Sequence, residues 1–456
     1  MTAATIQAGG LTWVGIFRLG LVQTCLGAIV VLTTSTINRI MVVELALPAM
    51  LPGILVALHH AVQMSRPRFG HGSDVGGRTT GWIIGGMFLL GIGGVGAAAG
   101  TNLFAGSRVL GFVVCTLSFT AIGLGASAAG TSLLVTLAKH VAPHRKAAAA
   151  SIVWIMMIAG FAVTAGTAGH FLDPFSPARL LTVSSVVSAL ALAVTVVALF
   201  RLEPRESLST APTSSSGTHG QFRVALREVW RERDARRFTL FVFVSMLAYS
   251  GQDLILEPFA GTVFGMTPGE STQLAGVQHG GVLLGMLIVA ATTLLRKNAS
   301  VAVLRLWNVA GCLASAVALL AIAVGGSRAM DWPLAENVFL LGLANGAFAV
   351  AAIATMMTLA GCGAARREGL RMGIWGASQA IAFALGGFMG TVAIDISRAL
   401  ISDSATAYAL VFGVEAGLFV VAAAIGLRLR APVQGRGRNA APSFGDVAMV
   451  EVFDAR

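Results

Sequence analysis

The sequence predicts an all-α membrane protein with twelve transmembrane helices arranged as two six-helix halves. Three observations predict it. Of 456 residues, 56% are hydrophobic and 11% charged, with a mean hydropathy of +0.81, whereas soluble domains carry roughly 25% charged residues. The charges punctuate apolar runs of membrane-crossing length. The one long polar stretch between such runs falls near the middle of the chain.

Charge-free windows run 19–38, 45–65, 79–107, 109–138, 147–172, 180–200, 271–295, 306–327, 337–365 and 372–394. A helix needs about 20 residues to cross the hydrocarbon layer, so each window is long enough. Two further apolar runs, about 238–258 and 404–427, are interrupted by Asp253 and Glu415. Twelve spans put both termini on one side. Of the 31 Lys and Arg, five (Arg39, Arg108, Arg179, Arg328 and Arg398) fall in loops on one side and the other 26 on the opposite side. The positive-inside rule therefore expects both termini in the cytoplasm. The net charge of +11 is spread over these inner segments, which excludes a nucleic-acid-binding domain. Cys25, Cys115, Cys312 and Cys362 lie in or beside apolar runs, without metal-ligand spacing or a disulfide framework. The first apolar run lacks the basic n-region and cleavage pattern of a signal peptide.

Residues 202–221 (LEPRESLSTAPTSSSGTHGQ) are polar and Ser/Thr-rich, as suits a flexible connector after the sixth span. Residues 222–237 place Phe222, Ala225, Leu226, Val229 and Trp230 on one helical face with arginines opposite. That pattern fits either a helix lying on the membrane surface or a solvated linker helix. The expected organisation is thus an N-terminal bundle over 1–201, a cytoplasmic connector over 202–237, a C-terminal bundle over 238–430 and a flexible cytoplasmic tail over 431–456. The halves echo each other. A shift of 221 residues carries Arg145, Lys146, Trp154, Gly166 and Gly169 onto Arg366, Arg367, Trp375, Gly387 and Gly390. A basic turn, a Trp and small residues where another helix can pack recur in spans five and eleven.

The turn Arg66–Arg78 sets Gly70, Asp74, Gly77 and Arg78 at relative positions 1, 5, 8 and 9. This spacing resembles the loop between the second and third helices of the major facilitator superfamily. There, glycines let helix ends approach, and an acid faces a neighbouring helix N-terminus while pairing with the arginine. The superfamily pattern has a base after the Asp and another after the Arg, where this chain has Val75 and Thr79. Longer stretches resemble the PucC/LhaA family of photosynthetic bacteria: Asn38–Ala49 (NRIMVVELALPA), Arg66–Asp74, Gln252–Thr272 (QDLILEPFAGTVFGMTPGEST) and Arg367–Ala380 (REGLRMGIWGASQA). The resemblance implies the facilitator fold in the inner, intracytoplasmic photosynthetic membrane. It implies assembly of light-harvesting complexes, with bacteriochlorophyll as the cofactor and antenna polypeptides and pigment-synthesis enzymes as partners. The alternative is a secondary transporter of a small organic solute or pigment precursor. With no Ser/His/Asp arrangement, P-loop or paired Cys cluster, the chain is not expected to be an enzyme.

Ionisable residues inside spans are costly and mark candidate sites. Asp253 and Glu257 share a helical face near the outer end of span seven. They are read as partners of Arg39 in an ion pair closing the outer side, with a ligand or proton site as the alternative. Glu415, near mid-membrane, is expected to be neutral or hydrogen-bonded to a neighbouring span, or else to touch a pigment or partner. A neutral imidazole is a good ligand for a bacteriochlorin magnesium. His59 and His60 in span two, and His279 within Gly276–Gly281, are therefore the candidate pigment ligands, with hydrogen bonding between helices as the alternative. No other metal is implied. His71, His140 and His144 suit solvated turns, and Trp154 and Trp375 suit packing.

Overall fold

The computed structural model describes residues 6–7, 10–65, 79–142, 145–202, 232–295, 301–328, 331–361 and 368–429. Gly70, Asp74, Gly77, Arg78, His71 and His144, most of the connector, and the tail lie outside these residues. A two-residue antiparallel pairing, Ile6–Gln7 with Gly10–Leu11, precedes the helices. Twelve helices follow: α1 Trp13–Glu44, α2 Met50–Val62, α3 Thr80–Leu103, α4 Arg108–His140, α5 Lys146–Leu172 and α6 Pro177–Leu199. The second set is α7 Arg233–Phe264, α8 Pro268–Leu295, α9 Val301–Gly326, α10 Leu334–Gly361, α11 Glu368–Leu400 and α12 Ser404–Leu427. Eleven of them, all but α2, are long and apolar enough to cross a membrane.

The helices differ from the charge-free windows where a charge is used inside a helix. Span one is expected to begin after Arg18 and end before Arg39, yet α1 runs through both. Arg18 donates from Nε to Ala198 O at 2.8 Å and from Nη2 to Phe200 O at 2.5 Å, so its charge fills the unpaired carbonyls at the C-terminus of α6. Span eleven is expected to stop before Asp395, but that acid is bonded to another helix and α11 continues to Leu400. Span two is shorter than expected. Pro48 and Pro52 cannot donate to a helical ladder, so α2 starts only at Met50, in whose first turn a proline costs little. A 3₁₀ turn, Gln63–Ser65, extends it.

Each packing pair of the first six helices recurs six helices later. In the first set α3 packs on α4 and α6, α1 on α5 and α6, and α2 on α4; in the second, α9 packs on α10 and α12, α7 on α11 and α12, and α8 on α10. Each set builds its own apolar core, one around Phe119, Met87 and Ile16 and the other around Phe241, Phe412 and Phe348. Between the sets, α5 packs along α8 and α2 along α11. The echo of α5 in α11 does not extend to the tryptophans. Trp154 is 38% exposed, while Trp375 is buried edge-on against Phe238 at 5.0 Å. Loops after odd-numbered helices share one end of the bundle, the outer end under the charge-based orientation.

The start of α12 is set by a single cap. Asp403 accepts the Thr406 hydroxyl at 2.5 Å and the Thr406 N–H at 2.9 Å. These bonds, the hydroxyl first, hold its carboxyl below the usual carboxylate range. A depressed folded-state value means that the stabilisation is complete above the unfolded carboxylate pKa, about 3.9, and is lost as pH falls through the folded-state value. Asp403→Asn should therefore keep most of the cap but remove this acid-dependent loss, as read from thermal midpoints between pH 2 and pH 6, taken at about half-unit steps, a spacing fine enough for one titration.

Candidate functional site

The centre of α1 is where the halves engage. The run Leu32–Thr36 (LTTST) is hydroxyl-rich, and its side chains compete for the backbone. Thr33 bonds Ile29 O at 3.2 Å and Val30 O at 2.8 Å, and Thr34 bonds Val30 O at 3.0 Å. The helix widens here into a π turn, and again over Ile40–Glu44, a distortion common at functional sites. Between and within these turns, side chains reach the second half. Ser35 donates to Glu257, and Thr36 and Thr272 share a hydrogen bond of 3.1 Å. Asn38 Nδ2 donates to Leu254 O at 2.6 Å. That carbonyl is free because Pro258, four residues on within α7, has no N–H to offer it. A proline in one half thus creates the acceptor that an asparagine of the other half uses.

Arg39 is 2% exposed. Its expected partners are Asp253 and Glu257, but the structure pairs it otherwise. Nη1 bonds Glu44 Oε1 at 2.5 Å and Nη2 bonds Met266 O, in the α7–α8 loop, at 2.5 Å. The π turn brings Glu44 back over the arginine, five residues along. Gly261 on α7 leaves room for the guanidinium: a Cβ there would sit 2.8 Å from Nη2. Glu257 is buried, held by Ser35 and within electrostatic reach of Arg39 and Asp253, and its Oε2 has no hydrogen-bond partner among the described residues. Arg39 therefore acts on Glu257 as a charged neighbour, with no direct bond to either acid among the described contacts.

Deeper between the halves, partly exposed rings face one another across the interface. His60 on α2 lies 5.6 Å from Phe383 on α11, which lies 5.8 Å from Tyr249 on α7. Tyr249 and Asp253 are neighbours on one face of α7, and Asp253 is within electrostatic reach of His279 on α8. His279 packs edge-on against Phe161 of α5, with centroids 5.0 Å apart. A Cβ added at Gly280, beside His279, would meet nothing within 4 Å. Two of the three histidines meet: the buried His59 ring, with Nε2 2.8 Å from the Gln63 amide, lies edge-on to His60 with centroids 4.9 Å apart, and His60 lies against Phe383 of α11. His279 sits on the α5–α8 side, its Nδ1 2.8 Å from Ala275 O. With Nδ1 donating to that carbonyl, Nε2 presents its lone pair, the arrangement that suits a metal ligand.

Glu415 is 4% exposed, on α12 against Gly251 of α7 and Gly390 of α11. Its Oε1 sits where a Cβ on Gly251 would come within 2.5 Å. Neither carboxyl oxygen has a hydrogen-bond partner among the described residues, and neither side-chain polar atom of Gln252 has one. The expected bond to a neighbouring span is therefore absent from the described contacts. Sequence reasoning missed Glu44, Tyr249, Asp173 and Asp395. The last two bind helix starts across the interface and stand about 220 residues apart, close to the internal echo, which is the signal that could have found them.

Among the described residues, twelve helices in two repeated sets, with aromatic and titratable side chains at their junction, give a membrane protein the fold of the major facilitator type. Solved structures agree in fold. The chain superposes on a peptide transporter, POT, with TM-score 0.67 and 15% identity, covering 93% of this chain and 95% of that one. It superposes on a bacterial homologue of the lysosomal transporter Spinster, in an inward-facing conformation, with TM-score 0.63 and 16% identity, covering 90% and 95%. Residues 36–433 match the family model described as PUCC protein. The chain belongs to the PucC family. It is 49% identical to a protein of Rhodobacter capsulatus named bacteriochlorophyll synthase 44.5 kDa chain, over 91% of this chain and 94% of that protein. It is 28% identical to protein PucC of Cereibacter sphaeroides, over 92% and 93%.

Two substitutions test the energetics. Arg39→Leu leaves Glu257 without its cationic neighbour and should destabilise the protein by about 3 kcal/mol, seen as a lower unfolding midpoint in detergent. Glu415→Leu removes a buried carboxyl that makes no bond and should leave stability unchanged or raise it by up to about 3 kcal/mol. A fall in the midpoint would show that Glu415 has a binding partner in the membrane.

Proposed function

We propose that the protein is an integral-membrane assembly factor for bacterial light-harvesting complexes, which holds bacteriochlorophyll between its halves and delivers it to antenna polypeptides. PucC-family membership supports the assembly role. The observation that carries the pigment-holding part is His279, a buried imidazole whose Nδ1 is engaged by Ala275 O, beside open space at Gly280. The donor set fits a bacteriochlorin. One nitrogen is presented for the central magnesium, and Phe161, Phe383 and Tyr249 offer ring surfaces for a flat macrocycle. When bound, the pigment supplies light absorption. The chain's own residues orient it and keep it apart from lipid until transfer.

In this reading the protein is not an enzyme and sits in the inner, intracytoplasmic photosynthetic membrane with both termini cytoplasmic. The N-terminal bundle over 1–201 and the C-terminal bundle over 238–430 supply opposite walls of the site. The second reading, a secondary transporter of a small solute or pigment precursor, draws on one observation: Asp253, Glu257 and His279 place titratable groups at the half interface, as proton-coupled carriers require.

Protein purified from photosynthetic membranes should carry bacteriochlorin absorption bands. His279→Ala should lower the pigment-to-protein ratio at least about tenfold, with added imidazole restoring it, whereas His59→Ala should leave it near the wild-type value. Pigment-free wild-type protein that exchanges a defined solute in proteoliposomes would favour the transporter.

A further inference from the structure

At the outer end, two carboxylates do the same work at equivalent places. Asp395, near the end of α11, accepts the N–H of Ala49 through Oδ1 at 2.8 Å and that of Met50 through Oδ2 at 2.7 Å. It grips the first turn of α2 with both oxygens. Asp173 follows the last residue of α5. It accepts the Thr267 hydroxyl through Oδ2 at 2.7 Å and the Gly269 N–H through Oδ1 at 3.2 Å, so it grips the start of α8. The helix that supplies each acid is the fifth of its half, and the helix gripped is the second of the other half. The sequence offset between the acids, about 220 residues, matches that between the gripped segments and the echo of α5 in α11.

Each grip joins an anion to unpaired amide N–H groups at the positive end of a helix, so charge and dipole act together. The backbones are already in contact at the α5–α8 junction, where a Cβ on Gly169 would lie 2.6 Å from Gly269 O. Between the two grips lie the bonds of Ser35, Thr36, Asn38 and Arg39 described above, all in the outer half of the bundle. If the halves move as rigid bodies about their shared pseudo-two-fold axis, both grips strain equally and neither can release alone.

We infer that Asp173 and Asp395 are paired latches that hold the outer end of the half interface shut. The inference is independent of what the half interface binds.

The test uses the full-length protein in membrane vesicles with Thr272→Cys as reporter, a near-isosteric change one turn inside α8. A membrane-impermeant maleimide is applied to each face of the membrane in turn, and the labelling rate is measured. Without further changes the reporter should label slowly from the face at the outer end. Asp173→Ala and Asp395→Ala should each raise that rate about tenfold, and the pair about a hundredfold, since distant sites combine nearly additively. Native Cys312, fully buried in the second core, should stay protected from a permeant maleimide, which separates opening from unfolding. A double variant that protects Cys312 but labels at the wild-type rate would overturn the inference. If the double alanine variant exposes Cys312, the Asp173→Asn/Asp395→Asn pair decides. Each asparagine keeps one acceptor oxygen and loses the second acceptor together with the charge, so a smaller rise supports the latches and an unchanged rate refutes them.

Discussion

Inside a bilayer a charge persists only where the protein supplies its counterpart, and Arg39 is where this chain meets that requirement most densely. The guanidinium binds Glu44 of its own helix and the Met266 carbonyl of the opposite half. It lies against Gly261 and sits near Glu257. One side chain thereby fixes the second π turn of α1, the α7–α8 loop and the approach of α1 to α7. The interface around it is polar rather than greasy, which is the sensible choice where lipid tails offer no hydrophobic drive for helix association. Hydrogen bonds and small-residue contacts set the relative position of the halves.

The same constraint explains how much the sequence could reveal. Helix number and the two-half arrangement were legible because apolar length is a one-dimensional property. Boundaries were not, wherever a charge was treated as a stop. Arg18, Arg39 and Asp395 all stand within helices, each satisfied by a group far away in sequence. The pairing of Arg39 illustrates the limit. Asp253 and Glu257 are the acids that spacing nominates, but the π turn, invisible to a 3.6-residue reading, delivers Glu44 instead. The histidines show a similar division. Sequence nominates His59, His60 and His279 equally, and only the local bonds distinguish His279, with its ring turned by Ala275 O, from His59, whose ring nitrogen meets Gln63 and whose ring abuts His60.

The internal repeat is stronger in architecture than in chemistry. Every helix pairing of the first half has its equivalent in the second, yet Trp154 is exposed and Trp375 is buried. The second half also carries the buried acids Glu257 and Glu415 and the Gln252 amide, which has no hydrogen-bond partner among the described residues. The two sides of the half interface therefore differ. One offers Phe161 and His60, the other Tyr249, Asp253, His279 and Phe383.

The bond between Asn38 and Leu254 O ties the two halves through what α7 lacks. An ordinary residue at position 258 would close the helical ladder onto that carbonyl and compete with the asparagine for it. Positions 38 and 258, far apart along the chain, thus act as a single physical unit: the proline vacates the acceptor and the asparagine occupies it.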